Sequence, residues 1–216
     1  MKIKPLTIDD ELKIHRQYYQ NKFNLCLRKG DIEEAMRELN DHLKEVEKFD
    51  KELFERGSFY FTYFYIYFSN EDHEKALENL NEWLSLPRSV EREDLQSLAR
   101  ILNLVIHYEM NNTILLESLL RSTQRFLNKR DRMFKFEKEL LGVIQWSMKA
   151  RSEKELREAF VRLKVELENL SKIPSESAMF EYFNFSAWID SKINNKTFAE
   201  TIRALYEKEI SKELDH

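Results

Sequence analysis

Apolar residues recur along this chain at the three- and four-residue spacing of helices, with charged residues between them. The spacing predicts ten helical segments, over 8–29, 31–48, 51–69, 72–86, 90–110, 112–128, 131–149, 152–172, 176–193 and 196–213. Local signals mark the breaks. Lys29-Gly30-Asp31 offers a glycine that can end one helix and an aspartate that can cap the next. Pro87 and Pro174 follow apolar runs and cannot continue them. Ser152 with Glu155 three residues on forms a capping box, and Asn194-Asn195 separates the last two segments.

One stretch reads differently. Phe59-Tyr60-Phe61-Thr62-Tyr63-Phe64-Tyr65-Ile66-Tyr67-Phe68 has the composition of a strand. An internal repeat assigns it to a helix instead. Residues 27–43 and 68–84 align at a shift of 41, which matches Asp31, Glu33, Ala35, Leu39, Asn40 and Leu43 with Asp72, Glu74, Ala76, Leu80, Asn81 and Leu84. The same shift places Tyr19, Phe23, Leu25 and Leu27 on Tyr60, Phe64, Ile66 and Phe68. The aromatic run is therefore equivalent to part of the first helix, and a local preference yields to the repeat. Later copies are fainter. Ala35, Ala76, Leu116, Leu156 and Phe198 recur 41, 40, 40 and 42 residues apart, each followed four positions on by Leu39, Leu80, Leu120, Phe160 or Ile202. A period near 41 predicts stacked helical hairpins, over about 8–48, 51–86, 90–128, 131–172 and 176–213, in a single all-α domain over 1–216.

The stretch Tyr63 to Pro87 resembles the tetratricopeptide-repeat (TPR) superfamily: an aromatic first helix, a polar turn at residues 69–72, then Ala76, Leu80 and the terminal Pro87. Ala35 and Ala76 match the family's small residue where two helices cross closely. The departures are a longer repeat, Phe23 and Phe64 where the family prefers a small residue, and His42 and Trp83 where it prefers alanine. The chain resembles a degenerate, long-repeat bacterial relative. That resemblance implies a right-handed superhelix of about five antiparallel helix pairs. A second resemblance, of Tyr182–Lys192 with Phe198 to the closing segment of larger bacterial helical-repeat proteins, implies the C-terminal portion of a longer protein.

Composition narrows the functions. Only 3 Gly and 3 Pro leave little turn chemistry for a sheet fold, and 12% aromatic residues can bury too much surface for a disordered chain. A net charge of -4 gives no general attraction for nucleic acid or an anionic membrane. The longest strongly apolar run, Phe59–Phe68, is too short to span a bilayer, and the start MKIKPLTIDDELK has no signal-peptide core. The lone Cys26 can form no internal disulfide, so the cytoplasm is the simplest expectation.

Catalytic patterns are sparse. A helical di-iron site needs Glu-x-x-His twice, and only Glu213-x-x-His216 fits, at a terminus. Cys26 lies mid-helix between Leu25 and Leu27 and reads as a small buried filler. No nucleophile elbow, phosphate loop or dinucleotide fingerprint appears, and pairs such as Glu74 with Glu78 fit solvated helix faces. No catalytic residue, metal or cofactor is expected. A basic stretch, Arg121, Arg125, Lys129, Arg130, Arg132, Lys135 and Lys138, spans the turn between the third and fourth hairpins. It reads either as a contact for phosphate or an acidic partner, or as a basic helix end; the acidic balance of the chain favours the second.

Mapped on the TPR pattern, Phe61 and Tyr65 fall where first-helix side chains line a concave surface, with Gln20 and Asn24 as their equivalents in the first copy and Ile101, Val105, Leu141 and Gln145 in the third and fourth; the alternative, which aromatic stripes on helices favour, is that the longer repeats bury these rings in a thicker core. The expected function is a non-catalytic scaffold that binds a protein or peptide segment there; the alternative is a sensor that closes on a small molecule. The first helix carries a second apolar face, Ile14, Tyr18 and Leu25, which needs either a preceding segment or self-association to cover it.

Overall fold

The computed structural model describes residues 7–49, 59–85, 93–129 and 134–214. Among these residues the protein is all helical, with no strand. The helices are α1 Ile8–Lys29, α2 Ile32–Val46, α3 Tyr60–Ser69, α4 His73–Ser85, α5 Glu93–Glu109, α6 Thr113–Leu127, α7 Lys135–Ser147, α8 Glu153–Leu170, α9 Pro174–Ser177, α10 Phe185–Asn194 and α11 Phe198–Leu214. The part of the aromatic run from Tyr60 onward is helix α3, as the repeat predicts.

The turns show why the chain reverses where it does. The Gly30 and Asp31 N–H groups donate to the Leu27 and Cys26 carbonyls at 3.3 and 3.0 Å, a Schellman closure around a left-handed Gly30 at φ 68°. Asp31 then starts α2 by accepting the Glu34 N–H at 3.3 Å. The geometry recurs. Glu71, Asn111 and Asn195 are also left-handed, and the next residue's N–H reaches back five positions each time: Asp72 to Tyr67, Asn112 to His107 and Lys196 to Ser191. The turn between α7 and α8 departs from this pattern. There the Ser152 hydroxyl caps Glu155 N–H at 3.2 Å, while the Glu155 carboxylate accepts from Arg151 N–H instead of closing a full capping box.

Packing contacts divide the chain into two compact units, residues 1–83 with 202–216 and residues 84–201, where the sequence suggests one domain. In the first unit, α1, α2 and α3 contact one another pairwise, around Tyr19, Phe23, Leu39 and Phe64. The last helix belongs here too from Ile202 onward. Arg203 donates to the Gly30 carbonyl and reaches Glu33, both at 3.1 Å, and Arg28 meets Glu209 at 3.6 Å. These contacts tie residues some 170 positions apart, which a stack touching only sequence neighbours does not contain.

In the second unit, α5 packs against both α6 and α7, and α8 packs against α7 and α10. Helix α5 is apolar on most sides because it is covered on most sides: Leu98, Ile101, Leu102, Leu104, Val105 and Ile106 are all buried. Tyr108 sits between Phe160 and Trp188, with ring centroids 5.9 Å from each. Burial and the adjacent Glu109 charge push its phenol up to about 12. Glu109 ties the layer together, accepting from Trp188 Nε1 at 2.6 Å and Lys192 Nζ at 2.5 Å.

Two expectations need correction. The segment 176–193 is not one helix: α9 and a 3-10 turn, Ala178–Glu181, precede α10. Asn184 breaks it, because its side chain accepts the Ala187 N–H at 2.9 Å and caps a new start. Pro174, expected only as a terminator, opens α9, where a missing N–H costs nothing. Second, Phe198 is out of register with Ala35. The first helical bonds run 31 to 35, 72 to 76, 112 to 116 and 152 to 156, then 197 to 201, so Thr201 holds the fifth position. The companion set Leu39, Leu80, Leu120, Phe160 and Ile202 is buried throughout, whereas Leu156 is only half-buried.

One helix start depends on a distant side chain. Glu176 of α9 is buried, and its two oxygens accept the Lys135 and Phe136 N–H groups of α7 at 3.2 Å each. Glu137, fully buried, takes the Phe134 N–H at 2.9 Å. Two carboxylates thus satisfy three donors that a helix start leaves open. Glu176→Ala removes two of these bonds from a buried site, and a loss of about 1–3 kcal/mol is expected, measured by chemical denaturation. Leu80→Ala is expected to cost about 2–5 kcal/mol in the same assay, because Leu80 has no exposed surface. A near-zero cost would show that the row of second-helix leucines is not the core.

Candidate functional site

The sequence-derived binding residues lie on neighbouring helices. Gln20 and Asn24 are on α1, Phe61 and Tyr65 on α3, and α1 packs against α3. Their surroundings differ. Asn24 is exposed, while Gln20, Phe61 and Tyr65 are half-buried. Phe61 leans on Trp83 of its own hairpin, with centroids 4.9 Å apart, and on Phe64 at 5.4 Å. Its ring therefore packs within the hairpin as well as facing outward. Among the equivalents in later copies, Ile101, Val105 and Leu141 are buried core residues, and Gln145 is exposed.

Of the basic stretch, Arg125, Lys129 and Lys135 are exposed, and Arg130 and Arg132 lie outside the described residues. Arg121 is engaged by Glu117 one turn back, at 2.8 Å, and Arg125 Nε donates to the Arg121 carbonyl at 3.3 Å. These local bonds fit a basic helix end. Cys26 is buried, and burial pushes its thiol up, away from the reactive thiolate. His216 of the terminal Glu-x-x-His lies outside the described residues. Among the described residues, no three His, Cys, Asp or Glu side chains gather as a metal would require, and no helix is long and apolar enough to cross a membrane.

The groove best suited to a partner lies in the second unit, over α7 and α8. It measures about 670 Å³ and is open to solvent. Gly142 and Trp146, one turn apart on α7, form one wall; Val161 and Val165, one turn apart on α8, form the other. Ala159 and Leu163 supply the buried floor. Val161 and Val165 are 40% and 53% exposed, which leaves a pair of branched apolar side chains unsatisfied on α8. A Cβ added at Gly142 would meet nothing within 4 Å, so the glycine is not there to relieve a clash within the chain. Glu139, Glu166 and Arg162 line the same groove. The sequence signal was present but unread: Val161 and Val165 stand four apart, off the stripe of Phe160, Leu163 and Leu167.

A second groove, of about 750 Å³, runs between α1 and α2, with His15, Tyr19, Glu45 and Phe49 in its lining. It leads to a buried aromatic cluster. The rings of His15 and His42 stack at 4.9 Å, and His42 Nε2 shares a 2.5 Å hydrogen bond with Tyr63 Oη. His15 Nδ1 faces Glu45 at 3.3 Å. Burial lowers the His15 pKa, with the Glu45 charge opposing it and Lys48 adding to it. Burial raises the Tyr19 phenol, helped by Glu45. In the second unit, burial alone lowers His107.

A histidine whose folded pKa is depressed favours the folded state while both states are neutral. Below the unfolded value of 6.5 the unfolded chain takes the proton first, so stability falls as pH drops toward the folded pKa. Melting temperature is therefore expected to decline from pH 7.5 to pH 5. His107→Leu, which puts an apolar, non-titrating side chain in the buried site, should flatten that decline. An unchanged pH profile in the variant would show that His107 does not titrate on unfolding. No family model, curated protein or solved structure matches the chain.

Proposed function

We propose that this chain is a non-catalytic, TPR-like helical-repeat scaffold that binds a peptide or protein segment, and that the α7–α8 groove is where the segment lies. The observation that carries this reading is the exposed Val161–Val165 pair facing the open shelf beside Gly142 and Trp146. An amphipathic helix with apolar residues three or four apart fits such a shelf, because its anchors repeat at the spacing of the two walls. Trp146 offers a large apolar surface at small entropic cost, the property that makes tryptophan a frequent binding anchor. Glu139 and Glu166 favour basic residues flanking the partner's apolar stripe, and Arg162 accommodates one acidic residue. Rigid helices on both sides limit the ordering cost of binding to the partner. The open shape of the groove favours a chain segment over the enclosed small molecule of a sensor.

The test is affinity capture from the native host with mass spectrometry. Val161→Lys/Val165→Lys changes only exposed positions, so stability should move by no more than about 0.5 kcal/mol while the captured partner is lost. Phe61→Ala/Tyr65→Ala should keep the partner. Loss with the second pair and retention with the first would move the binding surface to α1 and α3.

A further inference from the structure

Helix α1 has a second apolar seam that the described residues of its own chain leave open. Ile14, Tyr18 and Leu25 are 56%, 52% and 49% exposed, although Tyr19, Phe23 and Cys26 on the opposite side are buried. Asn21 fills the one gap in the seam, so positions 14, 18, 21 and 25 alternate by four and three residues, the spacing of a helix-pairing stripe. Extended by three residues at each end, the same stripe reaches Glu11 and Arg28, both exposed.

We propose that this face pairs with the same face of a second copy of the chain, antiparallel, about a two-fold axis between residues 19 and 20. Charge complementarity selects that occupant and that direction. The first turn of α1 is acidic, with Asp9, Asp10 and Glu11, and its last turn is basic, with Arg28 and Lys29. An antiparallel copy sets each acidic end beside a basic end; a parallel copy would set like against like. The register then follows from the residues. Ile14 opposes Leu25 of the second copy, Tyr18 opposes Asn21 and Glu11 opposes Arg28, and the two-fold repeats each pair. From Glu11 to Arg28 the seam runs about 26 Å along the helix. Within its own chain Arg28 touches Glu209 at 3.6 Å but keeps 67% of its side chain exposed, which leaves the guanidinium room for a second carboxylate. Lys22, beside the seam, is held by Glu34 and Glu38 at 3.0 and 3.2 Å and so does not place an unpaired charge on it.

Sedimentation equilibrium on the full chain tests the pairing. A reversible dimer is expected, weakened at least about tenfold by Ile14→Lys with helical content unchanged. Glu11→Arg should weaken it as well, by facing Arg28 of the second copy, and Glu11→Arg/Arg28→Glu should restore it. A circular-dichroism melt of each variant confirms that the fold survives. A chain that stays monomeric at every concentration, or a dimer indifferent to Ile14→Lys, overturns the proposal. A dimer sensitive to Ile14→Lys but not restored by the double charge exchange overturns the antiparallel register.

Discussion

A chain that reverses direction after successive helices must leave the helical backbone at defined points without stranding the last carbonyls. The left-handed residue followed by a five-residue backward bond does both at once. It stands at Gly30, Glu71, Asn111 and Asn195, spaced 41, 40 and 84 residues apart. Glycine takes this conformation without strain, and asparagine tolerates it. Glu71 does not, and a strain on the order of 1 kcal/mol is set against the satisfied carbonyls of α3 and the onset of α4 at Asp72. Glu71 thus keeps the geometry that Gly30 adopts, with the Asp72 N–H bonded to the Tyr67 carbonyl at 3.0 Å.

Those turns decide which side chains meet. With each reversal fixed, Phe23, Phe64, Leu104 and Ile144 fall at matching points of α1, α3, α5 and α7, and all are buried. The second helices contribute Leu39, Leu80, Leu120 and Phe160 in the same way. Position 42 in this frame is His42, position 83 is Trp83, and position 123 is Thr123, all buried yet chemically unlike. Two of them meet an aromatic partner: His42 shares a hydrogen bond with Tyr63, and Trp83 packs on Phe61. The frame fixes where a side chain sits, and the neighbours fix which side chain fits.

This explains what the sequence could and could not reveal. Helix α1 was legible because its apolar spacing and the glycine at its end agreed, and the helical state of the Tyr60–Phe68 run because the repeat outweighed its strand-like composition. The broken segment before α10 was not. Asn184 acts as a cap inside an apolar, aromatic-rich run, and a single capping residue competes poorly with periodicity when only the pattern is read. The capping of α7 by Glu176 was hidden for another reason: the carboxylate is 40 residues from the N–H it serves. The same distance hides the role of Glu109, whose donors Trp188 and Lys192 on α10 stand 79 and 83 residues further along the chain. The candidate binding surfaces are subject to the same limit. Aromatic positions such as Phe61 attract a functional reading from sequence, yet part of that ring is committed to Trp83. The open valines of α8 are inconspicuous in a helix rich in valine and leucine.

The α7–α8 groove and the α1 seam lie in different compact units and share no residue. Their consequences still combine. Each copy carries one α7–α8 groove, so pairing through α1 yields an assembly with two. A partner with two suitable helices, or an oligomeric partner, then makes its second contact intramolecularly, and avidity rises without any change in the groove itself. The gain depends on whether the partner's two segments can span the distance between the grooves. A weak, open shelf lined by two valines and a tryptophan would bind a single helix only modestly. If the α1 faces pair as proposed, self-association would supply a physical route by which such a shelf becomes a selective one, since only partners presenting two segments at the right separation would benefit from it.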